Sequence, residues 1–507
     1  PVRCTNMYQQ VKEEISMKRR TNAVVAMALA AAMTISLAGC QGGGGASSAA
    51  ATSLSGEAAE SQSSQAEENT ASSQSESEGK VLNIWCWNDE FQSRFNDYYP
   101  DVQTVAKDKS TTTLKDGTTV KWTINPNKGN NYQDKLDQAL FRQESAAADD
   151  KIDIFLIEAD YALKYVNSDF TLNVKKDIGL TDDDLSQQYK YTQDIATDSN
   201  GALKAVTWQA TPGLFAYRRS IAKKILGTYD PSKVQEQLSS WEKFGSVAAK
   251  MHSSGYKMLS GFDDSYRVFS NNVSAPWASG TTVTVDPNIM KWVKQTKEFT
   301  EKGYNNKTTL WDDKWSADQG PSSKVFGFFY STWGINFTLE GNSLKTPVSE
   351  GGKEQKGNGI YGDWAVCAGP QSYYWGGTWI CGCKGSDNIG TIRKVMKSLT
   401  CDKDIASKIT KDTQDYCNNK AAMDEIASSD YKSDFLGGQN HIKLFAEVAP
   451  KINLKNTSTY DQGCNEEFQA AFHDYFNGTV DLAGAKKNFE KSIKEKYPDL
   501  TEVKWPS

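Results

Sequence analysis

The chain has 507 residues, 38% hydrophobic and 24% charged, enough for two large lobes or three to four small domains. Its 57 basic and 63 acidic residues leave a net charge of −6, which argues against a nucleic-acid protein with its basic face. Of its 14 Trp, 22 Tyr and 20 Phe, only Tyr8 precedes residue 80, so the folded part begins near there and has flat apolar side chains to spare.

The N-terminal stretch is segmented by charge. Residues 1–16 precede a start at Met17 and are read as a non-native upstream extension. Met17, Lys18, Arg19 and Arg20 form a positive region, and Ala23 to Ala38 is apolar but too short to span a membrane. It ends in Leu37-Ala38-Gly39-Cys40, which resembles the lipobox of bacterial lipoproteins. That resemblance implies a leader over 17–39 and a Cys40 that carries a diacylglycerol, with palmitate among its acyl chains, and becomes the mature N-terminus. Two acyl chains suffice for a stable anchor. Residues 40–79 then carry four consecutive Gly, eleven Ser and six Glu, with one large aliphatic, Leu54. Such a segment cannot bury enough surface to offset its ordering entropy and reads as a disordered tether.

From residue 80 the pattern alternates strand and helix. Lys80 to Trp87 reads as a buried strand and Asp89 to Tyr98 as a helix. Asp116-Gly117 predicts a hairpin turn before a strand over Thr118 to Ile124. A helix over Asn131 to Gln143, a strand over Ile152 to Ile157 and a helix over Tyr161 to Val166 follow. Thr181 before three Asp predicts an N-cap. Further on, helices are expected over Ser239 to His252 and Pro287 to Lys302, strands over Lys324 to Tyr330 and Asp363 to Ala368, and helical closure over Asp474 to Gly478 and Leu482 to Tyr497. Alternation of this kind implies an α/β sandwich with a mostly parallel sheet, whose ligands bind beyond the strand C-terminal ends. Trp87, Asn88, Asp89 and Glu90 lie beyond the first strand, and Glu158 and Asp160 beyond the third.

Catalytic signatures fail on inspection. No G-x-S-x-G, H-E-x-x-H or Walker A motif occurs. Gly357, Gly359 and Gly362 spell G-x-G-x-x-G but run into a strand, the reverse of a dinucleotide site. Seven Cys after residue 80 make no disulfide framework, and the three His have no paired spacing, so neither a metal nor a cofactor is expected. Asp89, Glu90, Glu158 and Asp160 are carboxylates that a glycosidase needs in pairs, at a separation the sequence does not give.

The aromatic signal is stronger. Trp87, Trp208, Tyr217, Tyr266, Trp277, Trp333, Tyr374 and Trp375 lie at expected strand ends, in loops, or beside Gly and Pro. Trp364 and Trp379 sit in strand interiors and read as core. A flat ring can cover the C–H face of a pyranose while neighbouring carboxylates and amides bond its hydroxyls, as a site for a neutral small molecule requires.

Several segments carry a family resemblance: LNIWCWNDE (82–90), FLIEADYALKY (155–165), WQATPGLFAYRRS (208–220), YRVFSNNVSAPW (266–277), YSTWGIN (330–336), 362–381 and 460–476. With the lipobox, they resemble the extracellular solute-binding lipoproteins of carbohydrate ABC transporters, in the maltose-binding-protein-like superfamily, of the Firmicutes type. The resemblance implies a two-lobed periplasmic-binding-protein-like α/β fold, each lobe a sheet flanked by helices, joined by a multi-crossover hinge. By analogy the crossings fall near Thr207 to Pro212, Trp364 to Gly369 and Thr400 to Lys403. Lobe one is then 80–208 plus 367–400, and lobe two 209–366 plus 401–507. It further implies a monomer, not an enzyme, lipid-anchored at the extracellular face of the cell membrane. A carbohydrate ligand would be held by Trp87, Asn88, Asp89, Glu90, Glu158, Asp160, Trp208, Tyr217, Tyr266, Trp277, Trp333, Tyr374 and Trp375, and passed to ABC permease subunits. A solute sensor, a peptide or polyamine binder and an exported glycosidase remain as alternatives.

Overall fold

A computed structural model describes residues 78–506 apart from 453 and 455. The expected upstream extension, leader, Cys40 and the tether up to residue 77 lie outside the described residues. The last two tether positions are bonded to the folded body. The Glu78 carboxylate accepts from the backbone N–H of Gly390 and Thr391, at the start of the helix Ile389–Cys401, and Gly79 N–H donates to Asp387 O. Among the described residues no helix is long and apolar enough to cross a membrane.

Among the described residues thirteen strands form, the longer ones where β-branched and aromatic residues meet a period of two or a fully apolar run. In chain order they are β1 (Val81–Cys86), β2 (Val102–Val105), β3 (Thr111–Leu114), β4 (Thr119–Ile124), β5 (Ile154–Glu158), β6 (Ala205–Thr207), β7 (Gly213–Arg218), β8 (Ala278–Ser279), β9 (Thr282–Thr284), β10 (Gly327–Ser331), β11 (Trp364–Cys367), β12 (Thr378–Gly382) and β13 (Glu502–Lys504). β1 alternates, burying Leu82, Ile84 and Cys86, whereas Ile154 to Ile157 of β5 are all buried.

Seven strands make one sheet, ordered β2-β3-β4-β1-β5-β12-β6. β1 runs parallel to β4 and to β5, but the remaining pairs are antiparallel, which corrects the mostly parallel sheet expected from the alternation. Two causes act. The turn at Asp116-Gly117, with Gly117 at φ 85° and Asp116 Oδ1 accepting from Thr118 N–H, makes β3 and β4 a hairpin. β12 returns to this sheet from another one and slots between β5 and β6 in the opposite sense.

A second sheet, β10-β7-β11, is antiparallel throughout and buried at every position. The chain therefore leaves the first sheet after β6, enters the second at β7, and returns between β11 and β12. These two passes pair with each other: Gly213 N–H donates to Tyr373 O (2.7 Å) and Trp375 N–H to Thr211 O (3.2 Å). A third pass joins them, with Ala210 N–H donating to Tyr416 O (3.0 Å) and Asn418 N–H to Trp208 O (2.7 Å). Thr400 to Lys403, where the third crossing is expected by analogy, instead joins the helix Ile389–Cys401, which packs on β6 and β12, to the helix Lys403–Thr413, which packs on the helix Glu90–Tyr98.

A small third sheet, β13-β9-β8, closes a separate hydrophobic cluster around Trp277, Trp292, Phe468 and Phe489, beneath the helices Pro287–Glu301, Asp461–Asn477 and Leu482–Lys496. The capping box at Thr181 forms, Thr181 Oγ1 and Asp184 satisfying each other's backbone N–H.

Gly213 is where the passes come closest. A Cβ there would sit 2.4 Å from the Tyr373 ring, which is buried and pinned by its hydroxyl to Leu214 O and Tyr330 O. Gly213→Ala is expected to lower the unfolding free energy by about 1–3 kcal/mol, the cost of overpacking a site that cannot yield, read by urea titration.

Candidate functional site

Because β1 and β5 are parallel neighbours, both end at the same edge of the first sheet. The chain moves from β1 out to β4 and then back across to β5, so the two connections diverge at β1 and leave a crevice beyond the strand ends. Two turns line it. After β1, Asn88 Oδ1 accepts from Glu90 N–H and the helix Glu90–Tyr98 begins. After β5, Glu158 Oε2 accepts from Asp160 N–H (2.7 Å) and caps a short turn. Trp87 projects from the first, set edge-on to Tyr132 (5.7 Å, 61°) and Tyr161 (6.1 Å, 76°).

The facing wall comes from the second sheet and the returning pass. Trp333 follows β10, and its Nε1–H donates to Trp375 O (2.8 Å) while the two indoles meet edge to face (5.5 Å, 76°). Trp311 stacks over Trp333 (6.2 Å, 22°) and braces against buried Trp315. It is 51% exposed and held at φ 70°, an unfavourable conformation for a bulky residue. Gly376, at φ 71°, is the point where the walls meet. A Cβ on it would lie 3.3 Å from Trp333 Nε1 and 3.7 Å from Glu158 Oε1.

Together these groups enclose about 220 Å³, lined by Trp87, Asn88, Glu90, Glu158, Gln209, Trp311, Trp333, Phe337, Trp375, Gly376 and Thr378. Gln209, on the first pass, organises the floor. Its Nε2 donates to Glu90 Oε1 (2.8 Å) and to Asp415 Oδ2 (3.0 Å), and its Oε1 accepts from Thr378 N–H. Thr332 Oγ1 donates to the other Asp415 oxygen (2.8 Å).

A second cavity of about 210 Å³ adjoins the first, lined among others by Asp160, Arg267, Asn271, Trp277, Tyr374 and Asp461. The Arg267 guanidinium grips both oxygens of Asp160. Gln133 Nε2, from the helix Asn131–Phe141, donates to Gln462 Oε1 (2.7 Å) on the helix Asp461–Asn477.

The carboxyls here are held toward the neutral form. Burial, with Asp415 and Asp89 nearby and only partly offset by Arg94 and Gln209, pushes Glu90 up to about 7. Burial and the adjacent Asp160 carboxylate raise Glu158 well above the usual range, against the pull of Arg267. Burial raises Asp415 despite its hydrogen bonds, and pushes Asp461 up to about 7. Among the described residues no three His, Cys, Asp or Glu are placed to hold a metal ion.

Of the residues expected at the site, Trp87, Asn88, Glu90, Glu158, Trp333 and Trp375 line the first cavity, and Asp160, Trp277 and Tyr374 the second. Asp89 is the N-cap of the helix Glu90–Tyr98 and lines neither. Three aromatics are in the packed interior. Trp208 packs on Phe91, because its backbone is occupied in the crossing and its ring turns back into the core. Tyr217 lies on the central strand of the second sheet, where both faces are covered, and its hydroxyl donates to Tyr229 O. Tyr266 donates to Asn465 Oδ1 beneath Trp292, and Trp277, though it borders the second cavity, donates its Nε1–H to the same oxygen. Trp311, Gln209, Phe337 and Thr378 were not foreseen. Trp311 stands alone in a polar stretch (305–314), a signal that was there to read, and Gln209 lies inside the expected first crossing.

No protein-family model matches the sequence, and no curated protein matches it. Solved structures do. An extracellular solute-binding protein of family 1 superposes with a TM-score of 0.61 at 15% identity, over 82% of this chain and 99% of its own. The ABC transporter associated binding protein of B. animalis subsp. lactis, solved with β-1,6-galactobiose, gives 0.59 at 16%, over 84% and 100%. The galacto-N-biose/lacto-N-biose I-binding protein of the Bifidobacterium longum ABC transporter, solved with lacto-N-biose, gives 0.55 at 12%, over 84% and 100%. The chain has the two-lobed fold of the extracellular solute-binding proteins. The seven-stranded sheet is the framework of one lobe, the three-stranded sheet that of the other, and the first cavity opens between them at the hinge.

The raised carboxyls set a pH dependence. Unfolded, Glu90 titrates near 4.5; folded, near 7, so between those values the native state holds a proton that the unfolded state has lost. Stability from this group is therefore present at low pH and lost as pH rises through that window, and Glu158 acts in the same sense. Between about pH 5.5 and 8 wild type is expected to lose about 1 kcal/mol more stability than Glu90→Gln or Glu158→Gln, measured by urea titration at each pH.

Proposed function

We propose that this protein is a substrate-binding protein that captures a sugar or oligosaccharide between its two lobes and delivers it to the permease of an ABC transporter. One observation carries the reading. Four indoles, from Trp87, Trp311, Trp333 and Trp375, wall an interlobe cavity whose floor presents two carboxyls, two amides and a threonine. Flat apolar walls around a few fixed polar groups match a pyranose, with its apolar C–H face and equatorial hydroxyls. The three structural neighbours support the reading, since two of them were solved with disaccharides.

The mechanism is differential binding. Solute touching both lobes favours the closed arrangement by the contacts it gains only there. The hinge closes around it, and the closed body docks on the permease. In this reading residues 80–208 with 367–400, and the remainder, move as two lobes, and the protein works as a monomer without altering its solute. Cys40, lipidated, and the tether that follows it hold the body at the extracellular face of the membrane.

Titration of residues 78–507 with mono- and oligosaccharides, followed by thermal shift and Trp fluorescence, tests this. A bound sugar at 100-fold its Kd is expected to stabilise the fold by about 2.7 kcal/mol and to change the indole emission, with no sugar consumed. Silence with every sugar overturns the reading, and consumption makes the protein a hydrolase.

Trp333→Ala and Trp311→Ala are each expected to weaken that sugar about tenfold, ~1.4 kcal/mol of lost stacking, by calorimetry. Trp208→Phe, in the core, is expected to leave affinity within about twofold. Unchanged affinity in both indole variants removes the cavity from the site.

A further inference from the structure

The lining of the first cavity is one-sided in charge. Glu90 and Glu158 are its ionisable groups, and no Lys or Arg lines it. Of the two nearby guanidiniums one is taken up by another carboxylate and the other only partly offsets Glu90. Arg267 is gripped by both oxygens of Asp160, and Arg94 approaches Glu90 Oε1 only to 4.0 Å. Glu158 spends its Oε2 on Asp160 N–H and turns Oε1 toward Gly376 and Trp333, where no hydrogen bond from the described residues reaches it. The indoles add to the asymmetry, because an aromatic face is the negative end of the ring quadrupole.

A neutral solute leaves both carboxyls in the protonated form that burial favours, whereas a cation beside them favours the carboxylate. A cation would be met by a carboxylate and by indole rings in one cavity, the arrangement that aromatic cages use for ammonium groups. From this geometry we infer that the solute is an amino sugar, its protonated amine against Glu158 and the indoles, its ring face on Trp333 or Trp311. The inference rests on the sugar-binding reading and names the class of sugar.

The groups facing these carboxyls fit. Asp160, Arg267 and Glu466 surround Glu158, and Asp89, Arg94, Asp415 and Gln209 surround Glu90, so acids outnumber bases around both. The upward shift of both carboxyls is what uncompensated burial produces, and an incoming ammonium would reverse it.

Calorimetry near pH 7 with glucosamine, N-acetylglucosamine and glucose, and with their β-1,4-linked disaccharides, decides the point. Acetylation keeps the ring and removes the charge. The amine is expected to bind about tenfold tighter or more than its acetylated and hydroxyl counterparts, with an advantage that shrinks as salt is raised. In Glu158→Gln, checked for folding by its melting curve, the advantage is expected to fall to about twofold or less. Equal or tighter binding of the uncharged sugars overturns the amino-sugar inference and leaves the sugar reading intact, as does an advantage that survives in Glu158→Gln. Failure of every sugar to bind overturns both, whether or not a simple polyamine such as spermidine binds.

Discussion

Where a chain passes between two sheets, its backbone N–H and C=O groups leave both ladders and need other partners. Here three passes satisfy one another. The segment 208–213 bonds on one side to 373–375 and on the other to 416–418, making a short antiparallel ribbon between the lobes. Asp415 locks it. One carboxylate oxygen accepts from Gln209 of the first pass, and the other accepts from Thr332, next to Trp333, and from the backbone of Tyr416. A fully buried carboxyl is costly unless bonded this completely. The same Gln209 reaches Glu90 and the backbone of Thr378, so the floor of the cavity and the hinge are one hydrogen-bonded object. Backbone strain gathers here too, at Thr211 (φ 43°), a β-branched residue in a left-handed conformation whose hydroxyl donates to Gly376 O.

The two lobes contribute different chemistry because their sheets differ. Parallel β1 and β5 end together, each at a turn that starts a helical segment, and unsatisfied N–H groups at such turns favour carboxyls. Glu90 and Glu158 occupy those places. The antiparallel sheet offers no such row of helix starts. What it presents is the end of β10, where Gly334 lies against the Tyr330 ring and Trp333 is thrown outward to meet Trp375 and Trp311. The carboxyls thus come from one wall and three of the four indoles from the other, Trp87 standing on the carboxyl side.

The sequence made the first sheet legible in part, because β1, β4 and β5 are coded locally by apolar runs and turn residues, and it placed Trp87, Glu90 and Glu158 at the C-terminal ends of β1 and β5, where the cavity lies. Strand direction was not coded that way. The sense of β12 follows from a return journey through another lobe, which no local pattern records. Nor does spacing say whether an aromatic beside a crossing turns inward. Trp208 and Trp375 occupy comparable places, next to Gln209 and Gly376, yet one packs on Phe91 and the other faces the cavity. Glycine decides the second case: without a Cβ at 376, Trp333 and Glu158 can close over the backbone and leave room for the Trp375 ring. Trp311 escaped because it belongs to no element, and its place is set by a single positive φ and by Trp315 beneath it.

The pair between Asp160 and Arg267 fixes how closely the lobes meet. Both side chains are mostly buried, at 11% and 18% exposure, and in the lobe division proposed above they come from different lobes, so on that reading the pair exists only when the lobes are together. Removing two charges from water offsets much of their attraction, so such a pair stabilises closure weakly while defining its geometry sharply. When the lobes part, both groups return to water and neither is left buried alone, the circumstance that makes a broken ion pair expensive. In the proposed function the balance between open and closed forms is then left to the solute, which can shift it only by its own difference in affinity for the two. That difference is largest for a ligand touching Glu90 and Glu158 on one side and Trp333, Trp311 and Trp375 on the other at once, groups that line the one cavity beside Gly376.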